Sequence, residues 1–70
     1  ESLAASSKPL TEREQDVLRA TSDGGTTADV ARSLFLSQGT VRNYLSSAIH
    51  KTGARTRAEA VMIARDNGWL

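Results

Sequence analysis

Residues 26–45, TTADVARSLFLSQGTVRNYL, constrain the chain more than any other stretch, because a short and a longer apolar helical pattern meet there across a tight joint. Val30, Ala31 and Leu34 give the first segment one apolar stripe at helical spacing, and Val41, Leu45, Ala48, Ile49 and Thr52 give the second a stripe of the same kind. Phe35, Leu36 and Ser37 lie between them. Small Ala31 lets the two helices cross closely, while Leu34, Leu36 and Val41 fill the angle. This pattern predicts a helix-turn-helix. The outward face of the second helix then carries Gln38, Gly39, Arg42, Asn43, Ser46 and His50, which offer hydrogen-bonding groups or, at Gly39, no side chain. A helix-turn-helix lays such a face in the major groove, so a DNA-binding module is expected.

The totals narrow the alternatives. Seventy residues allow one domain with a small core. There is no cysteine, which excludes disulfides, thiolate metal sites and cysteine nucleophiles, and the single histidine excludes a histidine-rich metal cage. No metal and no cofactor are expected. No apolar run approaches the roughly 18 residues of a membrane span, and no signal-peptide pattern opens the chain, so a soluble, cytoplasmic domain without a membrane partner is expected. The chain opens on Glu1 and Met62 is its only methionine. A piece of something longer is therefore expected, with regulation residing in the remainder.

A net charge of +1 is small for a nucleic-acid binder, but the charge is unevenly placed. Residues 1–30 hold three bases against six acids, net −3, whereas residues 31–70 hold six bases against two acids, net +4. Between Arg32 and Arg57 there is no acid at all. An acid-free basic segment coinciding with the expected reading helix suits phosphate neutralisation, although five bases in 26 residues also suit an ordinary solvated face.

Punctuation divides the chain into an arm and four helices, an all-α fold with no alternating strand pattern. Residues 1–9, ESLAASSKP, read as a linker from another domain, and residues 10–70 as the helical domain. Thr11 and Glu14 form a capping box for a helix over 12–22, which turns Val17, Leu18 and Thr21 inward over Leu10 and stops at Asp23-Gly24-Gly25. Thr26 or Thr27 caps a second helix over 27–34, with Asp29 well placed against its dipole. Ser37 caps a third over 38–52, which Gly53 ends. Thr56 and Glu59 form another capping box for a fourth over 57–67, where Ala60 to Ala64 are apolar on nearly every side. Such a helix needs more than one neighbour, so a second copy of the chain or another domain is expected to pack on it.

With these residues placed, the chain resembles the C-terminal DNA-binding domain of LuxR/NarL-type bacterial transcription regulators, also called the GerE type. The resemblance runs from Leu10 to Leu70. It rests on Leu10-Thr11-x-Arg13-Glu14-x-x-Val17-Leu18, on Gly25 followed by Val30-Ala31-x-x-Leu34-x-Leu36-Ser37, on Thr40-Val41-Arg42-Asn43, on Lys51-x-Gly53-Ala54, and on Arg57-x-x-Ala60-Val61. It implies a four-helix domain that binds an operator repeat in double-stranded DNA as a homodimer through helix four, under the control of an N-terminal receiver or sensor domain. The SSKPLTERE junction is similar to the linker of response regulators in two-component systems.

Carried onto this chain, the resemblance implies base reading by Val41, Arg42, Asn43 and Ser46. Arg42 suits guanine O6 and N7, and Asn43 suits adenine. It implies phosphate contacts from Thr27, Ser37, Thr40, Tyr44 and Lys51, and dimerisation through Ala58, Val61, Met62 and Arg65. Three positions depart from the family pattern. Tyr44 stands where histidine is frequent, so a phosphate contact there falls to the phenol, and a partly buried aromatic is the competing role. Ser46 replaces a long basic residue, which should lower affinity or shift the preferred base. Thr52 stands where leucine is usual, and its hydroxyl is expected to cost stability. A solvated role beside the helix-four cap is expected for Arg57, and phosphate contact is open for Arg55.

Two other classes compete. A helical protein-interaction module would dock through helix four and offer its basic face to an acidic partner. An enzyme has little support, since His50 lacks a nucleophile partner and no phosphate-cradling loop is present.

Overall fold

Four helices make up most of residues 9–70, the part of the chain described by the structure, a computed structural model. Most of the linker assigned to residues 1–9 lies outside this range. In chain order the helices are α1 (Glu12–Ser22), α2 (Thr27–Leu34), α3 (Gln38–Thr52) and α4 (Arg57–Asp66). No strand occurs among the described residues.

Each helix starts where a side chain replaces a missing backbone partner. The Oγ atoms of Thr11, Thr26, Ser37 and Thr56 accept the N–H groups of Glu14, Asp29, Thr40 and Glu59, respectively. At Thr11 and Thr26 the acidic residue three positions on returns the bond, which closes a capping box. Thr26, not Thr27, is therefore the cap of α2. The box expected at Thr56 closes only half: Glu59 Oε1 accepts from the N–H of Arg55 at 2.6 Å instead of that of Thr56. The expected end of α4 at residue 67 is one residue long, because Asn67 is its C-cap.

Three of the helix ends share one closing pattern. After α2, α3 and α4, a residue in the left-handed region is followed by one whose N–H reaches back five residues: Leu36 to Ala31 O, Ala54 to Ile49 O, and Trp69 to Ala64 O. Gly53 and Gly68 occupy the left-handed position after α3 and α4. After α2 it is Phe35, at φ 59° and 95% exposed.

The helices α1 and α3 each pack on the three others, while the backbones of α2 and α4 do not pack on each other. The core between them comprises Leu10, Val17, Leu18, Val30, Ala31, Val41, Leu45, Ala48, Ala60, Val61 and Ala64. Ala48, Ala60 and Ala64 are fully buried, and their small side chains allow α3 and α4 to approach closely. Trp69 and Leu70 close the bottom of this core. The run from Ala60 to Ala64, apolar on every side in sequence, leaves only Met62 well exposed, at 59%.

One charged residue lies inside. Glu14 Oε1 accepts from the Thr11 N–H at 2.8 Å and from Lys51 Nζ at 2.9 Å, and Oε2 accepts from the Ser47 hydroxyl at 2.6 Å. This residue does more than close a capping box: it ties α1 to the C-terminal half of α3. Burial opposes its ionisation, but the three donors outweigh that and hold its carboxyl below the usual carboxylate range. Thr52, expected to waste a hydroxyl, returns it to the backbone of its own helix, to Ala48 O at 2.8 Å and Ile49 O at 3.2 Å.

Candidate nucleic-acid interface

The periodicity of α3 sorts its residues into two faces. Val41, Leu45 and Ala48 point into the core, and Gln38, Gly39, Arg42, Asn43, Ser46 and His50 are all exposed. The exposed set is the one expected to face DNA. It carries hydrogen-bond donors and acceptors, one guanidinium and no acid. No carboxylate of the described residues lies within 4.0 Å of the guanidinium of Arg42, Arg55 or Arg57.

Val41 is a correction. It was expected at a base edge, yet it is 0% exposed and packs in the centre of the domain. The helical step of about 100° per residue turns position 41 inward when 42 and 46 face outward. Arg42, Asn43 and Ser46 remain together on the open face.

At the N-terminus of α3, Ser37 Oγ and Thr40 Oγ1 are 2.9 Å apart and share one hydroxyl proton, which leaves the other hydroxyl free to donate outward. Ser37 also accepts the Thr40 N–H at 3.1 Å. The N–H groups of Gln38 and Gly39 have no partner within the helix, so this end presents donors together with the positive end of the helix dipole. Tyr44 is half-buried and packs against the core, the structural role that competed with phosphate contact. Lys51 is exposed near the end of α3. Its ammonium is committed to the buried carboxylate of Glu14, which a helical pattern alone does not reveal.

Beside α3 lies a cleft of about 320 Å³, lined by Thr27, Arg42, Leu45, Ser46, Ile49 and Arg57. Arg57 is exposed at the start of α4, in keeping with the solvated role expected for it, and its guanidinium also reaches α2 and donates to Thr27 Oγ1 at 3.3 Å. No sequence signal marks a pairing of residues 30 apart. Thr27 belongs to the first turn of α2, where Asp29 is held below its usual range by the N–H and hydroxyl of Thr26 and by Arg32.

On the α4 side, the four expected dimer residues divide. Ala58, Met62 and Arg65 are exposed, whereas Val61 is 8% exposed and belongs to the core. Val61 is therefore corrected from an interface residue to the floor of a groove of about 380 Å³, walled by Ala58, Arg65 and the Gly24-Gly25 turn.

Residues 8–64 match the family described as bacterial regulatory proteins, luxR family. The chain belongs to that family. It is 53% identical over 62 residues, 89% of its length, to the transcriptional regulatory protein YvfU of Bacillus subtilis, and 46% identical over 67 residues, 96% of its length, to the response regulator RamR of Streptomyces coelicolor. These matches cover 31% and 33% of the two relatives, so the chain spans about a third of their length. The spore germination protein GerE of Bacillus subtilis is 44% identical over 57 residues, 80% of this chain and 77% of GerE. A solved structure of the transcription factor GerE superposes with a TM-score of 0.82 at 31% identity, covering 87% of this chain and 91% of that one. As a luxR-family chain it is a helix-turn-helix DNA-binding domain of transcription regulators, with α2 and α3 as the two helices of the motif. That family is not an enzyme class. Among the described residues, no helix is long and apolar enough to cross a membrane, and no group of acidic or histidine side chains gathers as metal ligands.

Proposed function

We propose that this domain lays α3 in the major groove of double-stranded DNA, with Arg42, Asn43 and Ser46 reading base edges. The observation that carries the reading is the acid-free, hydrogen-bonding face of α3, with these three side chains exposed side by side above a buried Val41-Leu45-Ala48 stripe. Arg42 is the principal reader, because a guanidinium can bond guanine O6 and N7 together. Asn43 suits adenine in the same way. The free hydroxyl of the Ser37–Thr40 pair, the first N–H groups of α3 and the hydroxyl of Thr27 meet phosphates and set the register. Tyr44 contributes at the edge of this surface through its phenol, and Lys51 acts chiefly through Glu14.

The domain acts as a homodimer on an operator repeat. One copy offers a single reading helix about 22 Å long, enough for one half-site, and recurring half-sites one helical turn apart, about 34–36 Å, call for a second copy. Ala58, Met62 and Arg65 of α4 form the surface between copies. Control comes from a receiver domain elsewhere in a response regulator, to which the linker of residues 1–9 leads, and the whole works in the bacterial cytoplasm. The name of RamR and the third of its length that this chain matches support that part of the reading.

Selection from a random duplex pool by the 70-residue chain tests the proposal. A repeated half-site is expected. Arg42→Ala should then cost about 1–3 kcal/mol on the selected site and relax preference at one position. Unchanged preference in that variant removes Arg42 as the reader.

A further inference from the structure

The geometry points to Arg57 as a clamp for one phosphodiester of the DNA backbone, held in the cleft that α2, α3 and α4 form together. Arg57 spans two helices that do not pack on each other, and its one recorded side-chain bond is to Thr27 Oγ1 at 3.3 Å. Arg42 and Ser46 line the same cleft from α3. Two arginines thus line one space of about 320 Å³, with no carboxylate of the described residues within 4.0 Å of either guanidinium. Two positive charges beside one space without a counter-ion raise its potential for an anion, which Arg57 holds while Arg42 reads the adjoining base. The two non-bridging oxygens of a phosphodiester suit the planar fork of a guanidinium, and the Thr27 hydroxyl, while accepting from Arg57, keeps its own proton to donate. Leu45 and Ile49 supply an apolar wall against which a deoxyribose can rest.

The position of the cleft identifies the source of the anion. A helix is about 10–12 Å across and the major groove about 12 Å wide, so residues on the flank of an inserted α3 meet the backbone instead of the bases. Arg42 and Ser46 belong both to the exposed face of α3 and to the cleft lining, which puts Thr27 and Arg57 on that flank. This inference rests on the docking of α3 proposed above. It adds α4 to the DNA-contacting helices and makes Arg57 a positioning residue with no part in base choice.

Binding of the 70-residue chain to a duplex selected by the chain itself, and to a scrambled duplex of equal length, would be followed against salt concentration. Arg57→Gln is expected to weaken both by about tenfold. It should also lower the slope of log affinity against log salt by about 0.9 per bound copy, and leave the ratio between the duplexes unchanged. Arg57→Lys should restore the slope. In the parent, neutralising single phosphates as methylphosphonates should reveal one position whose loss matches that of Arg57→Gln and adds nothing to it. Equal thermal midpoints for the variants and the parent would tie the loss to the interface. If Arg57→Gln matches the parent in affinity and slope, the clamp is overturned while the docking of α3 stands. A changed ratio between duplexes at constant slope would make Arg57 a base reader and also overturn it. No binding by the parent at low salt removes both readings.

Discussion

Glu14 shows how one residue ties local order to the position of the reading helix. Its carboxylate accepts from Thr11 at the start of α1 and from Ser47 and Lys51 on α3, so the cap of one helix also sets the placement of another. The native carboxyl is held below its reference value of 4.5. A lowered native pKa means that its stabilisation is fully present above about pH 4.5 and is lost as the pH falls through the native value. Glu14→Gln should cost about 1–3 kcal/mol in urea denaturation near neutral pH and flatten the acid limb of stability against pH. An acid limb identical to that of the parent would show that other carboxylates carry the acid sensitivity. Thr21 presents the opposite case: its hydroxyl is buried with no hydrogen-bond partner. Neither state could be read from the residue type, because both depend on what a neighbouring helix places opposite.

Helix starts in this domain follow local rules, and helix ends follow them with one exception. Capping by Thr11, Ser37 and Thr56 was legible because a cap and its partner lie three residues apart. The left-handed Gly53 was legible for the same reason. Phe35 was not. It takes the left-handed position that glycine fills after α3 and α4, and the turn between α2 and α3 holds it there because Leu36 must both bond Ala31 O and pack on the core. A bulky residue at such a φ costs about 1–2 kcal/mol, and at 95% exposure the ring recovers little by packing. Phe35→Gly should therefore raise stability by about 0.5–1 kcal/mol in chemical denaturation, after the entropy that glycine adds to the unfolded chain. A loss of stability would mean that the ring holds the turn through contacts with Leu34 or Leu36.

At the scale of the whole molecule, the four helices divide the work. The inner faces of all four helices build a small core, and the outer faces of α2 and α3 carry the proposed contacts with DNA. The outer face of α4 carries the proposed contact between copies. With Val61 in the core, that contact depends on Met62, flanked by Ala58 and Arg65. Met62→Glu should weaken self-association, measured by sedimentation on and off a two-half-site duplex, and leave the unfolding midpoint within about 0.5 kcal/mol of the parent. Val61→Ala, by contrast, should cost about 1–3 kcal/mol of folding stability by opening the core. If Met62→Glu assembles on DNA as the parent does, the copies meet elsewhere.

What the sequence by itself determined lies within four residues of each position: the caps, the glycine stops, the helical stripes, and hence four helices with a helix-turn-helix at their centre. Sorting the two faces of α3 was legible too: the apolar stripe already held Val41, and only the family resemblance set that residue at a base edge. Tertiary structure alone decided which partners meet across 30 to 37 residues: Arg57 with Thr27, and Glu14 with Ser47 and Lys51. It also decided that Val61 faces inward while Met62 does not. The reason is physical. Backbone caps and helical periods are set by neighbours along the chain, whereas the burial of a carboxylate or the reach of a guanidinium depends on how helices cross, and that crossing follows from the packing of the whole core.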